Sequence, residues 1–434
     1  MYEELKSKIE NGKARIGIIG LGYVGLPLAV EFGKAGFNVM GFDNDARKTA
    51  LINKGDSYIL DVPSEDVKNL VSSGLLKSSV DTDALGKMDA IIICVPTPLR
   101  KTKEPDISYI LSASESIAKN VRKGQLIILE STTYPGTTEE VIMPKLIKDG
   151  LKVGKDIFLA FSPERVDPGN PKYKTRDITK VVGGVTRHCT ELARLLYSRV
   201  IKEVFAVSCT RSAEMVKLLE NTFRSVNIAM VNELALMCNK MGLDVWEIID
   251  AAKTKPFGFM PFYPGPGIGG HCIPLDPLYL SWKARQHGFE ARFIGLADEV
   301  NSYMPHYVVD KIMSSLNERK RPLKGSKILV AGITYKKDIN DVRESPALEI
   351  INSLIEKEAD VRYHDPLTPE LEIEGRKLRS IGLTKESVGS SDVVVIITDH
   401  ARVDYKLIVD NAGLVIDTRN ALRNFKGNKN IVKL

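Results

Sequence analysis

A glycine turn set between a strand and a helix narrows the fold more than any other feature. Ala14 to Ile19 reads as a short apolar strand, Gly20-Leu21-Gly22-Tyr23-Val24-Gly25 as a G-x-G-x-x-G turn, and Leu26 to Lys34 as a helix by its apolar spacing. Such glycines allow a tight turn, close approach of backbone N–H groups to a pyrophosphate, and close packing of helix on strand. A second strand, Asn38 to Phe42, leads to Asp43, 18 residues after Gly25. A carboxylate there accepts hydrogen bonds from an adenosine ribose and repels a 2′-phosphate. The unit predicts a bound dinucleotide, NAD rather than NADP, with Arg47 nearby tempering that preference.

The alternation continues along the chain. Ala90 to Val95 is a strand stopped by Pro96-Thr97-Pro98, and Gln125 to Leu129 is another stopped by Glu130-Ser131-Thr132. Near the other end, strands are expected over Lys327 to Gly332, Asp360 to Tyr363, Asp392 to Thr398 and Leu414 to Asp417, with a helix near Pro346 to Lys357. This pattern predicts an α/β fold of two Rossmann-like, doubly wound parallel-sheet domains, with ligands at the carboxyl ends of the strands. Between them, Ser212 to Met241 carries Met215, Leu218, Leu219, Phe223, Val226, Met230, Leu234 and Met237 at helical spacing, without an internal Gly or Pro. One helix of about thirty residues, about 45 Å long, is expected to join the domains. Pro256 to Pro277 follows as a loop too rich in Pro and Gly for a helix.

Composition limits the partners. Of 434 residues, 43% are hydrophobic and 27% charged, which suits a folded globular chain. The longest apolar runs are too short to cross a bilayer. The segment MYEELKSKIENGKAR mixes both signs of charge and lacks the apolar stretch of a signal peptide, so a cytoplasmic protein without a membrane partner is expected. A net charge of +6, spread out except at Arg319-Lys320-Arg321, argues against nucleic acid. The five cysteines have no C-x-x-C spacing and indicate neither a metal site nor a disulfide framework.

Cys272 stands apart, in Gly269-Gly270-His271-Cys272-Ile273-Pro274-Leu275-Asp276. Free cysteines are more often inert and buried. Here the glycines leave room beside the sulfur, and a thiolate there can attack an aldehyde. Neighbouring side chains in sequence often point apart, so His271 is not assigned as its base. Asp276 is a candidate acid or base, the alternative being a solvated loop carboxylate. On the long helix, Glu214, Lys217, Asn221 and Arg224 recur every three or four residues and form one polar stripe. A solvated face is the commoner meaning of such a stripe; the functional one turns Lys217 and Asn221 into a cleft, to hold a developing oxyanion.

Seven segments in this order resemble the UDP-glucose/GDP-mannose dehydrogenase family, over nearly the whole chain: GLGYVGLPLA (from Gly20), CVPTPL (from Cys94), ESTTYPGTTE (from Glu130), SPERVDPGN (from Ser162), AEMVKLLENTFRSVN (from Ala213), YPGPGIGGHCIPLDP (from Tyr263) and YKKDINDVRESP (from Tyr335). The resemblance implies an NAD-binding Rossmann domain over 1–210, a central helical dimerisation domain with the catalytic cysteine loop over 211–318, and a UDP-sugar-binding Rossmann-like domain over 319–434. It also implies a homodimer through the central helix and a four-electron oxidation of a sugar C6 alcohol to a carboxylate by two NAD⁺. Cys272 would trap the aldehyde as a thiohemiacetal, whose oxidation gives a thioester that water opens. Lys217 and Asn221 would hold the oxyanion, Asp276 and Thr132 would position or activate water, and Glu164 would join the catalytic set. Gly20, Gly22, Tyr23, Val24, Gly25, Asp43, Arg47, Thr97 and Thr132 would line the NAD site, with Arg343 reaching the pyrophosphate. Arg165, Val166, Arg224, Tyr263, Gly265 and Lys336 would hold the UDP-sugar together with Lys217 and Asn221.

One departure matters. UDP-glucose enzymes carry a P-E-x-x-x-E-G stretch, whereas here Glu164 is followed by Arg165-Val166-Asp167-Pro168-Gly169, so the second glutamate's role does not carry over. SPERVDPGN and FYPGPGIGGHCIP resemble instead the branch acting on UDP-N-acetylhexosamines, with N-acetylglucosamine first and N-acetylmannosamine second as the sugar. Two other readings are a catalytically silent nucleotide-sugar binder and a two-electron dehydrogenase that stops at a carbonyl, which would need no GGHC thiol.

Overall fold

A computed structural model describes residues 1–59, 61–98, 104–147, 150–166, 175–270, 272–425 and 427–434. Leu99, Asp167 to Asn170 and His271, which belong to the motifs above, lie outside the described residues. The chain divides into two compact units, Met1–Glu220 with Leu278–His287, and Asn221–Pro277 with Gly288–Leu434. Among the described residues no helix is long and apolar enough to cross a membrane.

The first unit is built on eight strands: β1 (Arg15–Ile19), β2 (Asn38–Phe42), β3 (Leu76–Ser79), β4 (Ala90–Ile93), β5 (Leu126–Leu129), β6 (Phe158–Phe161), β7 (Lys180–Gly184) and β8 (Val204–Ala206). Their order is β3-β2-β1-β4-β5-β6-β7-β8. The first six follow the dinucleotide-binding order 3-2-1-4-5-6, whose switch point lies between β1 and β4. The Ile- and Leu-rich central strands are buried on both faces, as expected for a parallel sheet under helices. Ile16, Ile18, Ile92 and Ile128 enter one core, and Ile91, Ile93, Ile127 and Leu129 the other.

β6 and β7 pair antiparallel, a local departure from the parallel sheet expected. The reversal brings Lys180, the first residue of β7, to the edge where β5 and β6 end. There its ammonium pairs with Glu130 and lies 3.1 Å from Glu164 Oε2, while Tyr197 Oη donates to Glu130 Oε2 at 2.5 Å. Burial pushes the Glu130 carboxyl up to about 7 against the pull of Lys180. For Glu164 the same burial is outweighed by Lys180 and by donated hydrogen bonds, which hold it at about 2.

The second unit carries β9 (Lys327–Ala331), β10 (Asp360–His364), β11 (Glu370–Ile373), β12 (Arg376–Arg379), β13 (Val393–Ile396), β14 (Val415–Asp417) and β15 (Ile431–Lys433). Five of these form a parallel sheet in the order β10-β9-β13-β14-β15, and β11-β12 is a separate antiparallel pair. Leaving that pair aside, the order is 2-1-3-4-5, the second common doubly wound arrangement, with its switch point between β9 and β13. Helix Arg292–Asn317, unforeseen in the sequence, lays Met304, Val308, Ile312 and Leu316 on this sheet's core.

The long helix runs from Thr210 to Met241, close to the limits expected. Its buried face mixes polar residues with Leu218, Val231, Ala235 and Cys238. Glu214, Lys217, Asn221, Ser225 and Asn232 are buried, whereas Met215, Leu219, Phe223, Met230, Leu234 and Met237 are exposed. Replacing Lys180 with Met should leave two buried carboxylates without their counter-charge and cost about 3–5 kcal/mol of stability, read as a lower urea midpoint.

Candidate active site

The glycine turn forms as the sequence indicates. Gly20 has φ 91°, and a Cβ there would stand 2.6 Å from Cys94 O. A Cβ on Gly25 would stand 1.8 Å from Gly20 O, so only glycine lets this helix start against the strand. At Gly22 a Cβ would meet no protein atom within 4 Å. The turn is thus closed on its protein side and open at its middle glycine, a cradle that suits a pyrophosphate. Asp43 Oδ2 accepts from Leu21 N–H at 2.9 Å and lies 3.3 Å from Lys48 Nζ, and Oδ1 accepts from Asp45 N–H at 3.0 Å. Oδ1, with a single donor, retains acceptor capacity for a ribose hydroxyl. Tyr23 is exposed, Val24 is half-buried, and Arg47 forks onto Asp45 at 3.1 and 3.0 Å. Thr97 and Thr132 follow β4 and β5, both half-buried; Tyr279 Oη donates to Thr97 O, and Ser131 Oγ to Val95 O at 2.7 Å. These residues, all of the first unit, gather where β1, β4 and β5 end.

Glu164 serves its own loop. Oε1 accepts from the N–H groups of Arg165 at 2.7 Å and Val166 at 2.5 Å, while Oε2 faces Lys180. Arg165 forks onto Glu220 at 2.6 and 3.3 Å and donates to Thr179 O at 2.7 Å. Glu214, first of the polar stripe, accepts from Gly136 N–H at 2.6 Å and from Thr138 N–H and Oγ1 at 2.9 and 2.7 Å, and burial pushes its carboxyl up. Lys217, one turn on, is only 7% exposed, and no hydrogen bond or ion pair joins its ammonium to another described residue. A buried cation without a partner is costly unless an anion or oxyanion reaches it.

In the second unit the cysteine loop and the stripe converge. Asn221 Nδ2 donates to Asp276 Oδ2, and Arg224 Nη2 donates to Asn221 Oδ1. Asp276 is 3% exposed and opens helix Asp276–Gln286, so it is a buried carboxylate rather than a solvated loop one. Its N–H donates to Cys272 O at 2.9 Å. Cys272 itself is exposed. Tyr263 stacks on Trp246 and donates to Asp250 Oδ1 at 2.8 Å. Arg343 folds back onto Asp341 at 2.6 to 3.1 Å, and Lys336 is half-buried in the turn after β9.

Several supporting residues were not singled out in the sequence. Gly265 N–H donates to Asn232 Oδ1 at 2.9 Å, Asn232 Nδ2 to Asn301 Oδ1 at 3.0 Å, and Asn301 Nδ2 to Ser225 O at 3.2 Å. This buried amide chain ties the Pro/Gly loop to two helices. A Cβ on Gly265 would stand 2.5 Å from Nη1 of Arg419, whose Nε donates to Ile397 O and whose burial lowers its pKa. The signal for Arg419 was its place in Asp417-Thr418-Arg419-Asn420, directly after a strand at the ligand edge of the sheet.

A doubly wound sheet with a glycine turn and a ribose-type carboxylate, a second doubly wound sheet, and an exposed cysteine four residues before a buried carboxylate are the features of a dinucleotide-dependent oxidoreductase. Comparison with known proteins agrees. Residues 14–201, 211–303 and 329–424 match, respectively, the NAD-binding, central and UDP-binding domains of the UDP-glucose/GDP-mannose dehydrogenase family. The chain belongs to that family, and NAD is its cofactor. It is 39% identical over 354 residues to the UDP-N-acetyl-D-glucosamine 6-dehydrogenase of Pseudomonas aeruginosa, covering 81% of this chain and 82% of that one. It is 35% identical over 423 residues to the NDP-N-acetyl-D-galactosaminuronic acid dehydrogenase of Ralstonia nicotianae, covering 93% and 95%. The solved structure of the UDP-D-ManNAc dehydrogenase from Pyrococcus horikoshii superposes with a TM-score of 0.86 at 33% identity, covering 96% and 98%. The chain is therefore a nucleotide-sugar dehydrogenase of the UDP-N-acetylhexosamine type.

Two outcomes test this geometry. Gly22→Ala should keep the thermal midpoint but weaken NAD binding at least about tenfold in calorimetry, because the added methyl meets only the ligand; Gly25→Ala should lose the midpoint as well. Glu164 has its pKa lowered from 4.5 to about 2 on folding, so it contributes stability above pH 4.5 that is lost as pH falls toward 2. Glu164→Gln should flatten that part of the stability profile in chemical denaturation.

Proposed function

We propose that the protein oxidises the C6 alcohol of a UDP-N-acetylhexosamine, with UDP-N-acetylglucosamine the favoured substrate, to the uronic acid in two NAD-dependent steps. One observation carries this reading: an exposed Cys272 whose backbone carbonyl accepts from the N–H of Asp276, the buried carboxylate that Asn221 holds. NAD, when bound at the glycine turn, takes up the electrons of both oxidations. A dehydrogenase that stopped at the carbonyl would have no use for the thiol. Cys272 adds to the C6 aldehyde and keeps that carbon on the enzyme. The Lys217 ammonium and the Asn221 amide face the resulting oxyanion, a charge that would satisfy a cation otherwise without a partner. Asp276 fixes the Asn221 amide and, with Thr132, orients the water that opens the thioester. Glu164 acts by setting the backbone of Arg165 and Val166. Lys336, Arg224, Tyr263, Gly265 and Arg419 are assigned to the UDP moiety, and Arg343, which folds onto Asp341, to the NAD pyrophosphate by the family resemblance alone.

The favoured sugar follows the Pseudomonas relative, the most identical of the three compared; N-acetylmannosamine is the second reading, favoured by the Pyrococcus structure. The product would serve surface polysaccharide or glycan synthesis. We also assign the domains as 1–210 for NAD, 211–318 for the helical centre and 319–434 for the UDP-sugar. The exposed apolar stripe Met215, Leu219, Phe223, Met230, Leu234, Met237 is assigned to a homodimer, because a second copy offers the same stripe.

Incubation with NAD⁺ and each of the UDP-N-acetylhexosamines should give two NADH per sugar and a uronic acid from one of them. Cys272→Ser should release no acid while retaining its melting midpoint; full acid production by that variant would sink the covalent mechanism. Leu219→Asp, at a position 57% exposed, should convert a dimer into a monomer by light scattering, whereas an unchanged mass would remove the stripe from the interface.

A further inference from the structure

His400 lies at the switch point of the second sheet, four residues beyond β13, and is completely buried. The commonest fate of such a histidine is to be a satisfied core residue. Its contacts show more than that. Nδ1 lies 3.0 Å from the backbone N of Asp338 and accepts that N–H, so the ring proton is assigned to Nε2. Nε2 lies 3.1 Å from Asp365 Oδ2 and 3.1 Å from Thr334 Oγ1. Asp365 is itself immobilised, accepting from the N–H groups of Ile333, Leu367 and Thr368 at 2.8, 2.9 and 3.1 Å.

Both ring nitrogens therefore act on the same short segment, 334–338. Thr334 Oγ1 donates to Lys336 O at 2.8 Å, and Thr398 Oγ1 donates to Thr334 O at 2.5 Å. At the far end, Asp338 adopts φ 59°, a left-handed conformation uncommon outside glycine, and its Oδ1 accepts from Ala401 N–H at 2.8 Å. The next residue after His400 thus completes the grip on the turn. Lys336 sits between the two anchors. Its neighbour Tyr335 is the seat of the cysteine loop: a Cβ on Gly269 would stand 2.6 Å from Tyr335 Cβ, and one on Gly270 2.8 Å from its ring. Two glycines, two and three residues before Cys272, are required by the place where this segment lies.

We propose that His400, oriented by Asp365, is a positioning residue that holds the Thr334–Asp338 turn so that Lys336 meets the UDP moiety and Tyr335 seats the cysteine loop. The proposal rests on the reading of Lys336 as a substrate contact. His400 touches no reacting atom in it; the neutral imidazole acts through the backbone of Asp338.

The test separates that hydrogen bond from general core packing. In His400→Asn the amide oxygen can stand where Nδ1 accepts; in His400→Gln the amide reaches toward Asp365 and leaves the Asp338 N–H without its acceptor. The Gln variant should bind UDP about tenfold more weakly in calorimetry, the size expected for one lost buried hydrogen bond. Its KM for the UDP-sugar should rise alike, with KM for NAD⁺ unchanged, and the Asn variant should recover most of the loss. Wild-type UDP affinity in His400→Gln overturns the proposal, and so does an equal loss in both variants accompanied by equal falls in melting midpoint, which marks ordinary packing. Lys336→Ala is measured in parallel. If it leaves UDP affinity unchanged, the reading of Lys336 fails, whereas weakened binding there beside an unaffected Gln variant rejects the role of His400 alone.

Discussion

The structure depends on one helix that buries its polar face. Thr210–Met241 offers Glu214 and Glu220 to the first unit, where they hold the turn at Gly136–Thr138 and the Arg165 guanidinium. To the second unit it offers Asn221, which holds Asp276, and Asn232, which holds the Gly265 backbone. Its apolar residues divide, Leu218, Val231, Ala235 and Cys238 entering the cores while Met215, Leu219, Phe223, Met230, Leu234 and Met237 face outward. Its buried polar groups are stabilised by hydrogen bonds, several of them to backbone groups that would otherwise go unpaired.

The electrostatics of the first unit follow from the same economy. Buried carboxylates there are met by donors: Glu130 by Lys180 and Tyr197, Glu164 by Lys180 and two backbone N–H groups, Glu214 by a hydroxyl and two backbone N–H groups. Lys217 stands against this pattern. Satisfied groups act as framework, whereas a buried cation without a partner among the described residues is costly unless an anion reaches it.

Each sheet has its own switch point. Between β1 and β4 the crevice is bounded by the glycine turn and the residues after Cys94; between β9 and β13 it is bounded by Thr334–Asp338 and Thr398–His400. In both, neighbouring strands send their connections to opposite sides, which opens a gap over the sheet edge. The antiparallel turn of β7 adds to the first sheet what a parallel strand would not, a lysine delivered to the carboxyl edge.

The elements whose signal is local were legible in the chain. The glycine turn, the apolar strands and the long helix appear within a residue or two of where the spacing put them, and Gly20 and Gly25 are held to glycine by backbone sterics. The pattern did not reveal helix Arg292–Asn317, whose internal Pro305 breaks the usual rule, or the reversed β7. It offered the polar stripe as a solvated face or a cleft, and only the tertiary structure decided that Glu214 is framework while Asn221 meets Asp276, 55 residues away. The same holds for Lys180 with Glu130, for Asn232 with Asn301 and Gly265, and for His400 with Asp338. Sequence by itself determines what a short stretch can do, because φ, ψ and burial periodicity act over a few residues. Which distant polar groups share a buried bond is set by topology, since each has many possible partners in the chain and a fixed few in the folded molecule.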